Sequence, residues 1–171
     1  TAKWGIPLRS LKHTYQDRML VVGDAAGQVK PTTGGGIYYS LLASEAASQV
    51  LSEALADDDL SSGNLSRYQS RWRELLADEM EVGYSARRLY EFLSDQQIGS
   101  LVKRAGANGF NSELVDASEG TFDWHSKMIG QIMGNPGLGG ALRMINPLLA
   151  RFAHHPENGS TQPEVSSAYR D

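Results

Sequence analysis

The sequence predicts a mainly α-helical chain with one or two strands, the trailing part of an α/β protein whose leading part lies elsewhere. Three observations point there. Met19-Leu20-Val21-Val22 is a compact apolar run, ended by Gly23, and reads as a buried, parallel strand. Long stretches after it repeat apolar residues at helical spacing. No second run of strand quality occurs, so the strand's partners are expected upstream of Thr1.

The 171 residues suffice for one ordinary domain, and 40% hydrophobic residues exclude a disordered composition. The formal net charge of -4, from 16 basic and 20 acidic residues, gives no electrostatic case for nucleic acid. The absence of cysteine excludes disulfides, thiolate metal sites and a Cys nucleophile, and it fits a reducing compartment. No apolar run approaches the ~18–20 residues that span a bilayer. The N-terminus lacks a signal-peptide layout, so a soluble or peripheral protein is expected. Thr1 is no initiator methionine, which trimming, processing or excision from a longer polypeptide would each explain.

In chain order, Ile6-Pro7 argues for an extended entry and Asp17-Arg18 for a turn. The strand at Met19–Val22 leads into a loop over Gly23–Gly36. A helix is predicted from Gly35 to Leu55, with Ile37, Leu41, Leu42, Ala46, Val50 and Leu55 as one apolar stripe. Asp57–Asn64 is a polar break, read as solvated. A second helix is predicted over Leu65–Leu93, bent or split at Gly83. Ser94-x-x-Gln97 reads as a capping box opening a helix through Ala105, punctuated by Gly106 and Gly109. Asn111–Asp123 reads as irregular, His125–Met133 as a short helix and Asn135-Pro136-Gly137 as a turn. Leu138–Phe152 reads as an apolar helix broken at Pro147, and the tail from Pro156 as disordered. The predicted division is 1–55, the last strand, loop and helix of a ligand-binding domain, then a helical region over 56–155, then a tail over 156–171.

The chemistry concentrates in Gly23-Asp24-Ala25-Ala26-Gly27, followed by Pro31-Thr32-Thr33-Gly34-Gly35-Gly36-Ile37. A carboxylate at the carboxyl end of a buried strand stands where open α/β sheets bind ligands. Ionised, Asp24 accepts hydrogen bonds and so suits ligand hydroxyls. Ala25, Ala26 and Gly27 are small enough to let a flat ligand approach the backbone. Pro31 stiffens the loop. Three glycines then open a helix and leave its N–H groups uncovered, where the helix dipole favours negative charge. A polyol acceptor beside an anion-friendly helix end suits FAD, which carries a ribityl chain and anionic groups.

This pattern, continued through Tyr38-Tyr39, resembles the second FAD motif of the geranylgeranyl reductase family, within the wider class of p-hydroxybenzoate-hydroxylase-like flavoproteins. Ile6-Pro7-Leu8 and Met19–Val22 are similar to that family's lead-in, and the close match runs from about Trp4 to Val50. The resemblance implies the C-terminal part of an α/β, Rossmann-like FAD-binding oxidoreductase that lacks the N-terminal nucleotide-binding βαβ unit. It implies Gly23, Asp24, Pro31, Gly34, Gly35, Gly36 and Ile37 as cofactor-binding residues. Asp24 would hold the ribityl chain, Gly34–Ile37 would lie beside the pyrophosphate and the flavin pyrimidine edge, and Pro31 would lie near the isoalloxazine ring. Tyr38 and Tyr39 are expected to pack rather than to act as acids.

By the same resemblance the full enzyme would hydrogenate C=C bonds of prenyl chains, with a prenyl or lipid substrate, in the cytoplasm, with peripheral membrane contact left open. Its electron donor, NAD(P)H or ferredoxin, and its oligomeric state stay open, and no catalytic residue is assigned. The chain departs from the family in one large respect. No Gly-x-Gly-x-x-Gly follows a strand, since Gly34-Gly35-Gly36 lacks the third glycine and Gly137-Leu138-Gly139-Gly140 follows no strand. The chain alone is therefore expected to be inactive.

Two other functions remain open on sequence. One is a different flavoprotein of the same class: a monooxygenase, halogenase or quinone-linked dehydrogenase. The other is a helical interaction module without a cofactor, which requires a self-sufficient core. The bland readings are that Asp24 is a turn cap and that Tyr68, Trp72, Tyr84, Tyr90 and Phe92 are packing residues. Arg67, Arg71, Arg73, Arg87 and Arg88 read as a solvated helix face. His13, His125, His154 and His155 are scattered and predict no metal site.

Overall fold

A computed structural model describes residues 5–107, 123–134 and 139–140. The turn at Asn135–Gly137, the tail from Pro156, and most of the Asn111–Asp123 and Leu138–Phe152 segments lie outside the described residues. The chain opens with a hairpin. β1 (Tyr15–Gln16) pairs antiparallel with β2 (Met19–Leu20), Tyr15 opposite Leu20 and Gln16 opposite Met19. Asp17-Arg18 is the turn, as predicted, with Arg18 at φ 58°.

The hairpin corrects the expected parallel strand over Met19–Val22. A parallel partner requires a crossover of a dozen or more residues, whereas a two-residue turn delivers an antiparallel one at once. Val21 and Val22 fall outside the two-residue strand. Val21 N–H still donates to Thr14 O at 2.8 Å, while Met19 is 47% exposed. Gly23–Ala26 then forms a single 3₁₀ turn, closed by Gly27 in the left-handed region at φ 70°.

α1 (Ile37–Ala56) and α2 (Ser62–Phe92) form a helical hairpin around the main core. On α1 the core face is Tyr39, Leu42, Ala43, Ala46, Ala47, Val50 and Ala54. On α2 it is Leu65, Tyr68, Trp72, Leu76 and Met80. The alanines bring the backbones close, and burying Leu65 and Leu76 stabilises the pair by roughly 1.5–3 kcal/mol each. Leu42, Ala46 and Val50 of the predicted stripe are buried, but Ile37 (83% exposed), Leu41 (63%) and Leu55 (59%) are not. The difference is one of phase. α1 is apolar on two faces, and α2 takes the face richer in small residues.

Between the helices, Ser61 caps α2 by accepting from Asn64 N–H at 3.4 Å, and Asp59 accepts from Ser61 N–H at 3.0 Å. Glu53 on α1 pairs with Arg67 and with Arg71 on α2. Gly83 does not split α2, which runs unbroken to Phe92. Its missing side chain serves packing, because a Cβ there would stand 3.1 Å from Pro31 Cδ. α3 (Asp95–Ala107) begins at the predicted capping box. Gln97 N–H donates to Ser94 Oγ at 3.3 Å, and Ser94 N–H to Gln97 Oε1 at 2.8 Å. α4 (Ser126–Gly134) packs Ile129, Ile132 and Met133 near Leu89 of α2.

Candidate functional site

The 3₁₀ turn and the loop to α1 have an outer and an inner side, and the residues singled out from sequence divide between them. On the outer side Asp24, Gly35 and Ile37 are exposed, with Gly34 and Gly36 partly so. A Cβ on Gly36 would collide with Asp24 Oδ1 and stand 3.2 Å from Val29 Cγ1. The Asp24 carboxylate is therefore seated directly over the bare backbone that opens α1. Gly36 is the N-cap residue and no side chain caps the helix. The N–H groups of residues 37–39 precede the first intrahelical bond, from Ser40 N–H to Gly36 O at 2.8 Å. A carboxylate that accepts from hydroxyls thus stands beside an uncapped, anion-favouring helix end.

Gly23 and Pro31 lie on the inner side. Gly23 is buried, and Gln28, fully buried, ties it down: Gly23 N–H donates to Gln28 Oε1 at 2.7 Å. Gln28 Nε2 donates to Tyr68 Oη at 2.9 Å, and that hydroxyl donates to Val21 O at 3.0 Å. Burial pushes the Tyr68 phenol above its ordinary pKa, with the bond from Gln28 opposing the rise. Pro31 is fully buried against Gly83 of α2. Its side chain therefore faces the helix, and its contribution to the outer face is stiffness.

A tight turn joins the two sides. Lys30 N–H donates to Gly35 O at 2.8 Å, and Gly34 N–H, at φ 75°, donates to Lys30 O at 2.8 Å. Lys30 is only 6% exposed, and its ammonium pairs with Asp123. Thr32 Oγ1 and His125 Nδ1 are hydrogen-bonded at 2.7 Å. Trp124 packs edge-on against Tyr38, and Tyr39 Oη donates to Asp123 O at 3.3 Å. Buried Glu79 of α2 accepts from the backbone N–H groups of His125 and Ser126 and so caps α4. Burial first, then the Glu79 and Asp123 carboxylates, pushes the Tyr39 phenol far above its usual range. Tyr39 is accordingly a neutral packing residue and a hydrogen-bond donor.

Two curated proteins of Methanopyrus kandleri are similar to this chain. Digeranylgeranylglycerophospholipid reductase 2 is 37% identical over 100 residues, 58% of this chain and 25% of that protein. Digeranylgeranylglycerophospholipid reductase 1 is 40% identical over 100 residues, 58% of this chain and 26% of that protein. By sequence, this chain is related to the geranylgeranyl reductases. It spans about a quarter of the length of these relatives. The similarity also reaches the conditioned medium factor receptor 1 of Dictyostelium discoideum, 37% identical over 105 residues, 59% of this chain and 21% of that protein. No family model matches, and no solved structure matches.

The residues present fit the flavin cofactor that the resemblance described above implies. The cradle at Gly36 would be filled by any Cβ, the Asp24 carboxylate is open to solvent, and the helix end is uncapped. The sequence did not single out Lys30, Thr32, Glu79, Asp123 or Trp124 for this site, and it left His125 among scattered histidines. Glu79, on the core side of an amphipathic helix, was the one available signal, since a carboxylate there needs buried donors.

Proposed function

We propose that this chain is the flavin-facing segment of an FAD-dependent oxidoreductase that hydrogenates C=C bonds of geranylgeranyl or related prenyl chains. The observation that carries it is the Asp24 carboxylate seated over Gly36 at the open end of α1, in a chain related to geranylgeranyl reductases. When bound and reduced, FAD supplies the hydride such a reaction needs. The chain's own part is binding and orientation. Asp24 accepts hydrogen bonds from ribityl hydroxyls. The backbone N–H groups of residues 37–39 and the dipole of α1 favour the anionic pyrophosphate and the pyrimidine edge of the ring. An isolated alkene is a poor hydride acceptor, so rigid alignment must supply much of the catalysis, and a loop braced from behind provides it.

A second feature supports a segment over a self-contained module. Ile37, Leu41, Leu51 and Leu55 form an exposed apolar stripe along α1, and Met19 of the hairpin is exposed as well. A module complete in itself buries such a stripe, whereas a domain that continues on other sequence presents it. We assign its cover to the nucleotide-binding part of the same enzyme. Among the described residues no helix is long and apolar enough to cross a membrane.

The test is the visible spectrum of the full-length protein that carries this segment, with and without Asp24→Ala. Flavin bands in the wild type that fall in the variant, followed by anaerobic reoxidation of the reduced protein by a geranylgeranyl lipid, are the expected result. A colourless wild type would overturn the flavin assignment. A yellow protein that ignores prenyl lipids would leave the other flavoenzyme chemistries in its place.

A further inference from the structure

The segment before α4 reaches back across the chain to the glycine loop, and the contacts follow a register. Lys30 pairs with Asp123 and Thr32 with His125, each pair 93 residues apart in sequence. The residues between them make contacts of their own: Pro31 with Gly83, and Trp124 with Tyr38 and Tyr39. Lys30 and Thr32 belong to the tight turn closed by Gly34 and Gly35, and the segment before α4 holds that turn through side chains. Two further groups fix the segment before α4. Glu79 holds the N–H groups of His125 and Ser126, and the Tyr39 hydroxyl holds Asp123 O. None of these side chains lies on the exposed outer side with Asp24, Gly35 and Ile37.

We propose that Asp123 and His125 are positioning residues for the cofactor loop, a role that rests on the flavin reading given above. They hold Lys30 and Thr32 from behind, so that the turn closing on Gly34 and Gly35 keeps Asp24 over Gly36 before any ligand arrives. Pre-organisation of this kind raises affinity by sparing the ligand the cost of ordering the loop. The loop's own bonds, Lys30 to Gly35 and Gly34 to Lys30, are local and fix its shape. The long-range pairs fix where that shape sits on α1 and α2.

The test uses the full-length protein carrying this segment and measures FAD affinity after stripping and titration, alongside thermal stability. Thr32→Val keeps the shape of the side chain and removes the hydroxyl. His125→Ala removes the ring. Each is expected to weaken FAD binding about tenfold, the loss from one buried hydrogen bond. Thr32→Ser is expected to retain wild-type affinity. The double variant Thr32→Val/His125→Ala is expected to lose no more than the worse single, because both changes remove the same contact. Affinity unchanged in Thr32→Val, losses that simply add, or a Thr32→Ser protein as weak as Thr32→Val would overturn the positioning role while the flavin reading stands. A wild type that binds no FAD would remove both.

Discussion

Gly36→Ala is the sharpest probe of the site, because it separates folding from ligand binding. Gly36 sits at φ -119° and ψ -14°, a conformation that alanine also adopts, so the backbone itself raises little objection. The added methyl would collide with Asp24 Oδ1 and press on Val29 Cγ1 at 3.2 Å. Asp24 is exposed and free to swing outward. Loss of a glycine N-cap costs about 1 kcal/mol, partly offset by the smaller entropy of the unfolded chain. For a domain of this size that is a fall in Tm of less than about 4 °C. The effect on the cofactor is larger. A carboxylate displaced from its seat forfeits hydrogen bonds worth roughly 1.5–3 kcal/mol, a tenfold to hundredfold loss of FAD affinity. Gly99→Ala on α3 is the control, since its Cβ would meet nothing within 4 Å and lies outside the site. The assay is flavin fluorescence titration of the full-length protein, with calorimetry on the same samples. Wild-type affinity in Gly36→Ala, or an equal loss in Gly99→Ala, would refute the placement of Asp24.

Other perturbations should act on the fold. Gly27→Ala puts a side chain at φ 70° into the backbone carbonyl of Arg9, which cannot yield as a flexible side chain does. A cost above about 3 kcal/mol is expected in urea unfolding, and a cost below about 1 would contradict the close approach. Tyr39 is held protonated by burial and by the Glu79 and Asp123 carboxylates. A group whose folded pKa is raised stabilises fully below its unfolded value, about 10, and loses that contribution as pH climbs beyond it. The urea midpoint of the wild type should therefore fall above about pH 10 more steeply than that of Tyr39→Phe, and parallel curves would count against the buried phenol. Glu53 is depressed chiefly by its hydrogen bond from Arg71, so its contribution is present above the ordinary carboxylate range and fades as pH drops below it. Glu53→Gln should flatten the acid limb of Tm against pH, and an unchanged limb would show the pair idle.

Local signals were legible in the sequence wherever neighbours in the chain decide the structure. The Asp17-Arg18 turn, the Ser94–Gln97 capping box and the α1 and α2 helices all rest on contacts within a few residues. The phase of α1 was not legible, because both its faces are apolar and only the position of α2 decides which is covered. The strand at Met19–Val22 was misread for a related reason. Its composition suits a buried strand, but its partner in the described residues is Tyr15–Gln16, reached by a two-residue turn. Gly83 looked like a helix breaker because helix propensity speaks against glycine. The reason for it lies 52 positions away, at Pro31, and no local pattern carries that.

The division of the glycine motif into two sides has a further consequence for how such motifs are interpreted. Asp24, Gly35 and Gly36 face outward, while Gly23 and Pro31 are spent on anchoring the loop to Gln28, Tyr68 and Gly83. On the proposed flavin reading, the motif therefore mixes residues placed to meet the ligand with residues that hold those residues still. The two kinds respond to substitution in opposite orders. Changes at Asp24 or Gly36 should move affinity before stability, and changes at Gly23, Gln28 or Gly83 should move stability before affinity. Thr32 and His125 stand between these cases, because their bond joins the loop to the segment before α4 and neither side chain is on the exposed outer side. A loss of affinity without a matching loss of stability at Thr32 would mark it as part of the site, although it has no place on the ligand-facing side.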